Sequence, residues 1–283
     1  MEIREPERLT PVVGEADVIV VGSGPGGLSA AIAAARAGVS VILIERFGCF
    51  GGNITSVGVE GFAWYRHEKT IEAGGLAFEY EQRAIESNAA VPESQSKSYE
   101  LDSEGFKVVA DNLVLKAGVR PMLHRAFCAP ILDGDEIKGV ITESKAGREA
   151  ITGKIIIDAT GDADVARRSG VKVFKNKKED MISASVMFHM SGVNKEEFMN
   201  EIERDPQKYS DWSDKNWQVQ TSGKEDDMFS PFLRKPFEKA KDSGLIDSDL
   251  QTISGTWGAI HDTGELTYLN LVHLNGIDGT DPE

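Results

Sequence analysis

Residues 17–45 of the chain are DVIVVGSGPGGLSAAIAAARAGVSVILIE, and this stretch decides the fold. The apolar run from Val18 to Val21 predicts a β-strand, and the glycine-rich run after it predicts a tight turn. An alanine-rich helix to Ala37, a second strand from Val39 to Ile44 and the acid Glu45 complete the unit. Strand, glycine turn, helix, strand and acid occur here in the order of a dinucleotide-binding βαβ unit.

The glycines of the turn match the needs of a bound pyrophosphate. Gly22 makes the tight turn off the strand, Gly24 lets the backbone approach the phosphates without a Cβ, and Gly27 lets helix and strand pack closely. Pro25 and Gly26 open the helix, where unpaired N–H groups and the helix dipole favour negative charge. We therefore expect the two phosphates at the start of this helix.

Glu45 follows the last glycine of the turn by eighteen residues, at the end of the second strand. A carboxylate at this position is placed to accept hydrogen bonds from a ribose 2′-hydroxyl, whereas a 2′-phosphate would be repelled. The sequence therefore predicts a dinucleotide without a 2′-phosphate.

Later motifs indicate which dinucleotide is bound. Glu45 is followed by Arg46 and then by the glycine doublet Gly51-Gly52 and Asn53, and residues 154–162 (KIIIDATGD) predict a buried strand ending in a small-residue turn. With these motifs the chain resembles the FAD-dependent oxidoreductase family, in the second class of the glutathione reductase superfamily. Residues 275–282 (NGIDGTDP) are also similar to that family, so the resemblance runs nearly end to end.

The resemblance implies FAD as the cofactor and assigns its contacts by position. The turn glycines would hold the pyrophosphate, Glu45 the adenosine ribose, and Arg46 with Gly51 and Gly52 would lie along the pyrophosphate and ribityl chain. Phe127 begins a strand where relatives pair the adenine edge with backbone groups. The other implied FAD-binding residues are Asn53 and the four that would close over the adenine side, Ala159, Thr160, Gly161 and Asp162.

Composition limits the class of protein. With 40% hydrophobic and 27% charged residues the chain has the composition of a globular protein, and no apolar run approaches the ~20 residues of a membrane span. The net charge of −15 argues against nucleic acid and anionic membrane as partners. Two cysteines, Cys49 and Cys128, and a polar N-terminus predict a reducing, cytoplasmic location.

The order of predicted elements gives the fold class, which is α/β. A Rossmann-like FAD-binding domain over residues 16–180 is expected to combine a parallel sheet, helices and an antiparallel meander covering one face, after an N-terminal arm at 1–15. The meander is predicted from runs at 127–132, 137–144 and 149–152, with a return to the parallel sheet at 155–159. Residues 181–283 are expected to form part of an α+β substrate domain.

Members of the resembling family continue well beyond the length of this sequence and return to the flavin ring. The resemblance therefore favours a chain that lacks the C-terminal part, and a shorter protein that binds FAD differently is the alternative. A homo-oligomer or a C-terminal partner chain is the expected assembly, and the substrate is a small molecule of unknown identity.

The sequence says little about catalytic groups. His67 is the best candidate for a proton donor or acceptor, because the segment after the glycine doublet is expected to lead toward the flavin ring. Packing within an aromatic cluster is the competing explanation for this segment. No grouping of His, Cys and Asp has metal-ligand spacing, so no metal site is predicted.

The main functional hypothesis is an FAD-dependent oxidoreductase that transfers two electrons, as hydride, between the flavin and a small organic substrate. An NAD-dependent dehydrogenase shares the opening motif but does not need the Gly-Gly doublet. A thiazole-synthase-like enzyme of this fold, with an adenylated nicotinamide product and iron, is the main alternative, although its expected Cys or His context is missing. A catalytically incomplete FAD-binding subunit and a fold that no longer binds flavin are the remaining hypotheses.

Overall fold

The computed structural model describes residues 3–4, 6–60, 66–67, 71–72, 74–92, 99–203, 231–247, 252–256, 260–274 and 276–280. The chain folds into two compact units, and each is formed by two separate stretches of sequence. Unit 1 comprises the residues up to Ser56 together with Phe106–Val173, and unit 2 comprises Val57–Gly105 together with the residues from Phe174 onward.

Unit 1 contains a six-stranded sheet. Its strands are β1 (Val12–Val21), β2 (Val41–Ile44), β7 (Arg120–Met122), β8 (Ala126–Asp133), β9 (Glu136–Ser144) and β10 (Gly147–Asp158). Their order across the sheet is β7-β2-β1-β10-β9-β8. β1 pairs in parallel with both β2 and β10, and β2 pairs in parallel with β7. The predicted α/β class with a Rossmann-like parallel sheet is confirmed.

The antiparallel meander differs from the prediction in two ways. β8, β9 and β10 form one edge of the same sheet instead of a separate layer over one of its faces. The two strands predicted at 149–152 and 155–159 are one continuous strand, which pairs with β9 through its first half and with β1 from Ala150 to Asp158. Gly153 lies within this strand and packs closely on β1, because a Cβ there would lie 2.8 Å from the Ile19 side chain.

The core of unit 1 follows from apolar strand residues. Ile19, Val20 and Leu43 have no exposed surface, and each such side chain contributes about 1.5–3 kcal/mol by burial. Helix α1 (Pro25–Arg36) packs against β1 and β2 through its buried residues, which include Leu28 and Ile32. This packing fixes the ends of β1 and β2 relative to the start of α1, which is where the predicted site lies.

Helix α3 (Ser103–Lys116) has buried residues that repeat with helical spacing: Phe106, Val109, Ala110, Leu113 and Val114. The Asp102 carboxylate accepts the Gly105 N–H, whereas the Ser103 hydroxyl donates to Glu60 Oε1 at 2.8 Å.

Unit 2 contains small sheets and helices. Its elements are β3 (Arg66–His67), β4 (Ile71–Glu72), α2 (Leu76–Glu86), β5 (Ala90–Pro92), β6 (Tyr99–Leu101), β11 (Met187–Met190), α5 (Lys195–Glu203), α6 (Pro231–Asp242), β12 (Thr252–Thr256) and β13 (Leu266–His273). A three-stranded antiparallel sheet has the order β11-β13-β12, and two two-stranded sheets pair β3 with β4 and β5 with β6.

Residues 57–105 belong to the same unit as the C-terminal part of the chain, whereas the predicted domains are contiguous at 16–180 and 181–283. β1 begins at Val12 and so includes the last four residues of the predicted arm. The division into cofactor and substrate domains stays a prediction. No helix within the described part of the chain is long and apolar enough to cross a membrane.

Candidate functional site

A cleft of about 870 Å³ lies in unit 1, at the carboxyl ends of the parallel strands β1, β2 and β10. The last residues of these strands, Val21, Ile44 and Asp158, all line it. Ligands of open parallel sheets bind outside the carboxyl ends of the strands, so the cleft is where the fold predicts a nucleotide.

The glycine turn forms one wall of the cleft, and all five predicted turn residues line it: Gly22, Gly24, Pro25, Gly26 and Gly27. Gly22 has a φ of +96°, and a Cβ there would lie 2.3 Å from the Ala159 carbonyl oxygen. A Cβ on Gly27 would lie 1.9 Å from the Gly22 carbonyl oxygen, so the predicted close packing of helix and strand at Gly27 is confirmed. These two glycines are required by the protein's own packing.

Gly24 differs from Gly22 and Gly27 because a Cβ there, as at Gly26, would meet no atom of the described residues within 4 Å. Its φ of −59° and ψ of 176° are ordinary extended values that other residues adopt. The protein itself therefore does not require glycine at this position. The open space at this position leaves the backbone accessible from the cleft, which fits the approach of a pyrophosphate.

The start of α1 is open to an anion. Gly24 is the N-cap residue, no side chain of the described part of the chain caps the helix, and Pro25 occupies the first turn. The first N–H groups of a helix have no partners within the helix, and the helix dipole is positive at this end. The uncapped start therefore provides backbone donors for a phosphate group.

Glu45 lies beside the turn and accepts hydrogen bonds from the protein through both of its carboxylate oxygens. Its Oε2 accepts hydrogen bonds from the Ser23 N–H at 2.9 Å and the Ser23 hydroxyl at 2.6 Å, and its Oε1 accepts the Phe47 N–H at 2.9 Å. Glu45 is 5% exposed and Ser23 is fully buried. The carboxylate therefore ties the glycine turn to the end of β2, and its oxygens still have lone pairs for a ribose hydroxyl. Ser23, which stands between the first two glycines, was not predicted from the sequence.

The glycine doublet supports the turn from outside the cleft. The Gly51 N–H donates to the Ser23 carbonyl at 2.9 Å, and a Cβ on Gly52 would lie 2.7 Å from the Gly24 Cα. Neither glycine lines the cleft, whereas Asn53, the next residue, does. The predicted contact of the doublet with the pyrophosphate and ribityl chain stays a prediction, and its packing against the turn gives it a structural role.

The turn after β10 forms a second wall, with Ala159, Thr160 and Gly161 among its lining residues. Asp158 holds this turn together: its Oδ1 accepts the Thr160 hydroxyl at 2.7 Å, and its Oδ2 accepts an N–H of helix α4 (Asp164–Arg168) at 2.9 Å. Asp162 is exposed and is not among the cleft-lining residues, and it does not cap α4. Its predicted FAD contact stays a prediction.

The beginning of β8 forms a third wall, where Phe127 lines the cleft as the prediction requires. The Arg125 N–H donates to the Glu45 carbonyl at 2.9 Å, which places this strand directly beside the predicted ribose acid. Arg125 forms a salt bridge with Glu149. Arg168 donates a hydrogen bond to the Cys128 carbonyl, and its guanidinium carbon lies 5.6 Å from the Phe127 ring centroid.

Arg46 also lines the cleft, and its guanidinium carbon lies 4.7 Å from the Phe47 ring centroid. Among the described residues, three arginines therefore border the cleft, at positions 46, 125 and 168. Of these, only Arg46 was predicted from the sequence, because it adjoins the acid in the motif.

The predicted catalytic histidine is not tested by the structure. The backbone of His67 pairs with Ile71 in the short β3-β4 sheet of unit 2, and its side chain lies outside the described residues. Cys49 and Cys128 are both free thiols.

The fold and this cleft define a dinucleotide-binding protein with a Rossmann-like sheet. More specifically, the family model described as "FAD dependent oxidoreductase" matches residues 17–271, so the chain belongs to that family. The cofactor of this family is FAD, as the resemblance implies, and FAD is therefore the cofactor of this chain.

Two relatives illustrate the family. The chain is 30% identical over 171 residues to thiamine thiazole synthase of Saccharolobus islandicus, covering 56% of this chain and 60% of that protein. It is 30% identical over 192 residues to digeranylgeranylglycerophospholipid reductase 2 of Methanopyrus kandleri, covering 65% of this chain and 46% of the reductase. The chain thus matches only about half of each relative's length.

A solved structure of a geranylgeranyl bacteriochlorophyll reductase-like protein from Thermoplasma acidophilum has a TM-score of 0.45 and 20% identity to the chain. The similarity covers 64% of this chain and 48% of the other.

Proposed function

We infer that the chain binds FAD in the cleft of unit 1 and acts as an oxidoreductase on a small organic substrate. The observation that supports this inference most directly is the open space at Gly24 beside an uncapped helix start. An uncapped helix start with open space at Gly24 fits a pyrophosphate, and it occurs where the fold predicts one.

Different residues of the cleft bind different parts of the cofactor. Backbone N–H groups at the start of α1 bind the pyrophosphate oxygens, with Gly24 allowing their close approach. Glu45 accepts the ribose hydroxyls, while Ser23 and Phe47 hold its carboxylate in place. A 2′-phosphate next to this buried carboxylate would be repelled, which favours FAD over dinucleotides that carry one.

FAD, when bound, supplies two-electron (hydride) transfer at its flavin ring. The protein's part is to orient the ring, to exclude water and to provide a proton donor or acceptor. His67 remains the proposed donor or acceptor, on the basis of its position in the sequence after the glycine doublet.

A thiazole synthase-like function is the second candidate. The 30% identity over 171 residues to thiamine thiazole synthase favours it. The two candidates differ in the compound that the cleft carries. Mass spectrometry of ligand released from the purified protein separates FAD from any other adenylated compound.

The proposed location is the cytoplasm, and the proposed partners do not include nucleic acid. Free thiols at Cys49 and Cys128 and a net charge of −15 support a cytoplasmic protein without nucleic-acid partners. The substrate is a small molecule, and a homo-oligomer is the proposed assembly.

Titration with FAD tests the proposal, using Gly24→Val as the key variant. Valine fits the backbone angles of Gly24, and a Cβ there meets no atom of the described residues, so the variant is expected to fold. Its side chain would occupy the space of the phosphates. Loss of about two charge-assisted hydrogen bonds predicts an affinity for FAD that is lower by roughly 100-fold or more.

Gly279→Val is the control, because Gly279 is exposed, is not a lining residue of the cleft, and a Cβ there would meet no atom of the described residues within 4 Å. It should bind FAD like the wild type, measured by calorimetric titration of both variants. Unchanged binding by Gly24→Val would contradict the site.

A further inference from the structure

The wall of the cleft beside Glu45 has side chains that take no part in the proposed pyrophosphate and ribose contacts. It is formed by the start of β8 and by the last residue of α4. Phe127 and Arg168 are its two large side chains, and both line the cleft. This inference rests on the proposed FAD site and concerns which residue recognises the adenine.

The position of Glu45 locates the base. In adenosine the base is attached to the ribose carbon next to the one that carries the 2′-hydroxyl. A ribose bound at Glu45 therefore brings adenine to the residues adjacent to that acid. The backbone hydrogen bond of 2.9 Å from Arg125 N to Glu45 O makes the start of β8 the adjacent strand.

Arg168 is held on this wall by two contacts. It donates to the carbonyl of Cys128, across forty residues of sequence, and its guanidinium carbon lies 5.6 Å from the centre of the Phe127 ring. The planar guanidinium carries five N–H donors, more than one carbonyl oxygen can accept. Arg168 is exposed whereas Phe127 is half-buried, so the guanidinium is the accessible part of the pair.

We propose that Arg168 is the adenine-binding residue of this cleft, with its guanidinium stacking on the base or donating to its ring nitrogens while Phe127 and the Cys128 carbonyl hold it in place. Guanidinium planes stack on nucleobases and aromatic rings, and they donate in a fixed plane that a lysine ammonium does not have. The ligand class is an adenine nucleotide without a 2′-phosphate, of which FAD is the proposed member.

The test is a titration of wild type, Arg168→Ala, Arg168→Lys and Arg167→Ala with FAD. Arg167 is the neighbouring arginine of the same helix, is exposed and does not line the cleft, so it controls for net charge. Arg168→Ala is expected to bind FAD about tenfold more weakly, in the range of one lost stacking contact. Arg167→Ala should match the wild type.

Arg168→Lys keeps the charge and a donor for the Cys128 carbonyl, and so it keeps the proposal testable if the alanine variant fails to fold. Because lysine has no planar group, it should lose most of the same affinity. Full affinity in Arg168→Lys, or equal losses in Arg167→Ala and Arg168→Ala, would overturn the assignment. Failure of the wild type to bind FAD would instead overturn the proposed function on which the assignment rests, and the first titration reveals which has failed.

Discussion

Replacing Glu45 by alanine should destabilise unit 1 as well as weaken cofactor binding. The structure gives Glu45 three accepted hydrogen bonds, from the Ser23 N–H, the Ser23 hydroxyl and the Phe47 N–H. Alanine would leave the fully buried Ser23 N–H without its acceptor. Hydrogen bonds to a charged group contribute about 1.5–3 kcal/mol each, and some of the freed donors can turn to water.

The sum predicts a loss of about 3–5 kcal/mol in the free energy of unfolding, a large share of the ~5–15 kcal/mol of a typical domain. Urea unfolding followed by circular dichroism, without added FAD, measures this loss directly. Glu15→Ala is the control, because Glu15 lies on β1 and is exposed, and it should change stability by less than about 0.5 kcal/mol. A Glu45→Ala protein as stable as the wild type would refute the tie between turn and strand, and would leave Glu45 as a ribose contact alone.

Further predictions concern packing and protonation. Gly27→Ala should lower the free energy of unfolding by about 3 kcal/mol or more in the same assay, because its Cβ would lie 1.9 Å from the Gly22 carbonyl oxygen. Gly26→Ala has open space around its Cβ and should change the free energy of unfolding by no more than about 1 kcal/mol. Equal effects of the two substitutions would contradict the close packing at Gly27. Burial raises the pKa of Glu81 from 4.5 to about 7, so the folded state holds this proton more tightly and stability should fall as pH rises from about 4.5 through 7. Glu81→Gln should be less sensitive to pH between about 5 and 8 than the wild type in urea unfolding, and an identical pH dependence would refute the raised pKa.

The local order of the site could be predicted from the sequence because the motif is contiguous. The strand, glycine turn, helix and acid of residues 17–45 occupy neighbouring positions, and each is encoded by its own residues. These features required no knowledge of distant contacts.

The features that escaped prediction depend on partners far apart in the sequence. Ser23 and Glu45 are 22 residues apart, and Arg168 meets the Cys128 carbonyl across 40 residues. No local pattern marks Ser23 as the partner of an acid or Arg168 as part of a wall. The continuity of β10 was missed because Gly153 resembles a break, although in the structure it admits the Ile19 side chain.

The most important question is whether this cleft binds FAD, and an absorption spectrum of the purified chain answers it. We expect the two-banded flavin absorption between about 300 and 550 nm, with heat release and chromatography giving FAD, or uptake of added FAD by colourless protein. A colourless protein that takes up no FAD, but binds NAD when NAD is added to the same sample, would contradict the FAD assignment and favour a nicotinamide-dependent dehydrogenase.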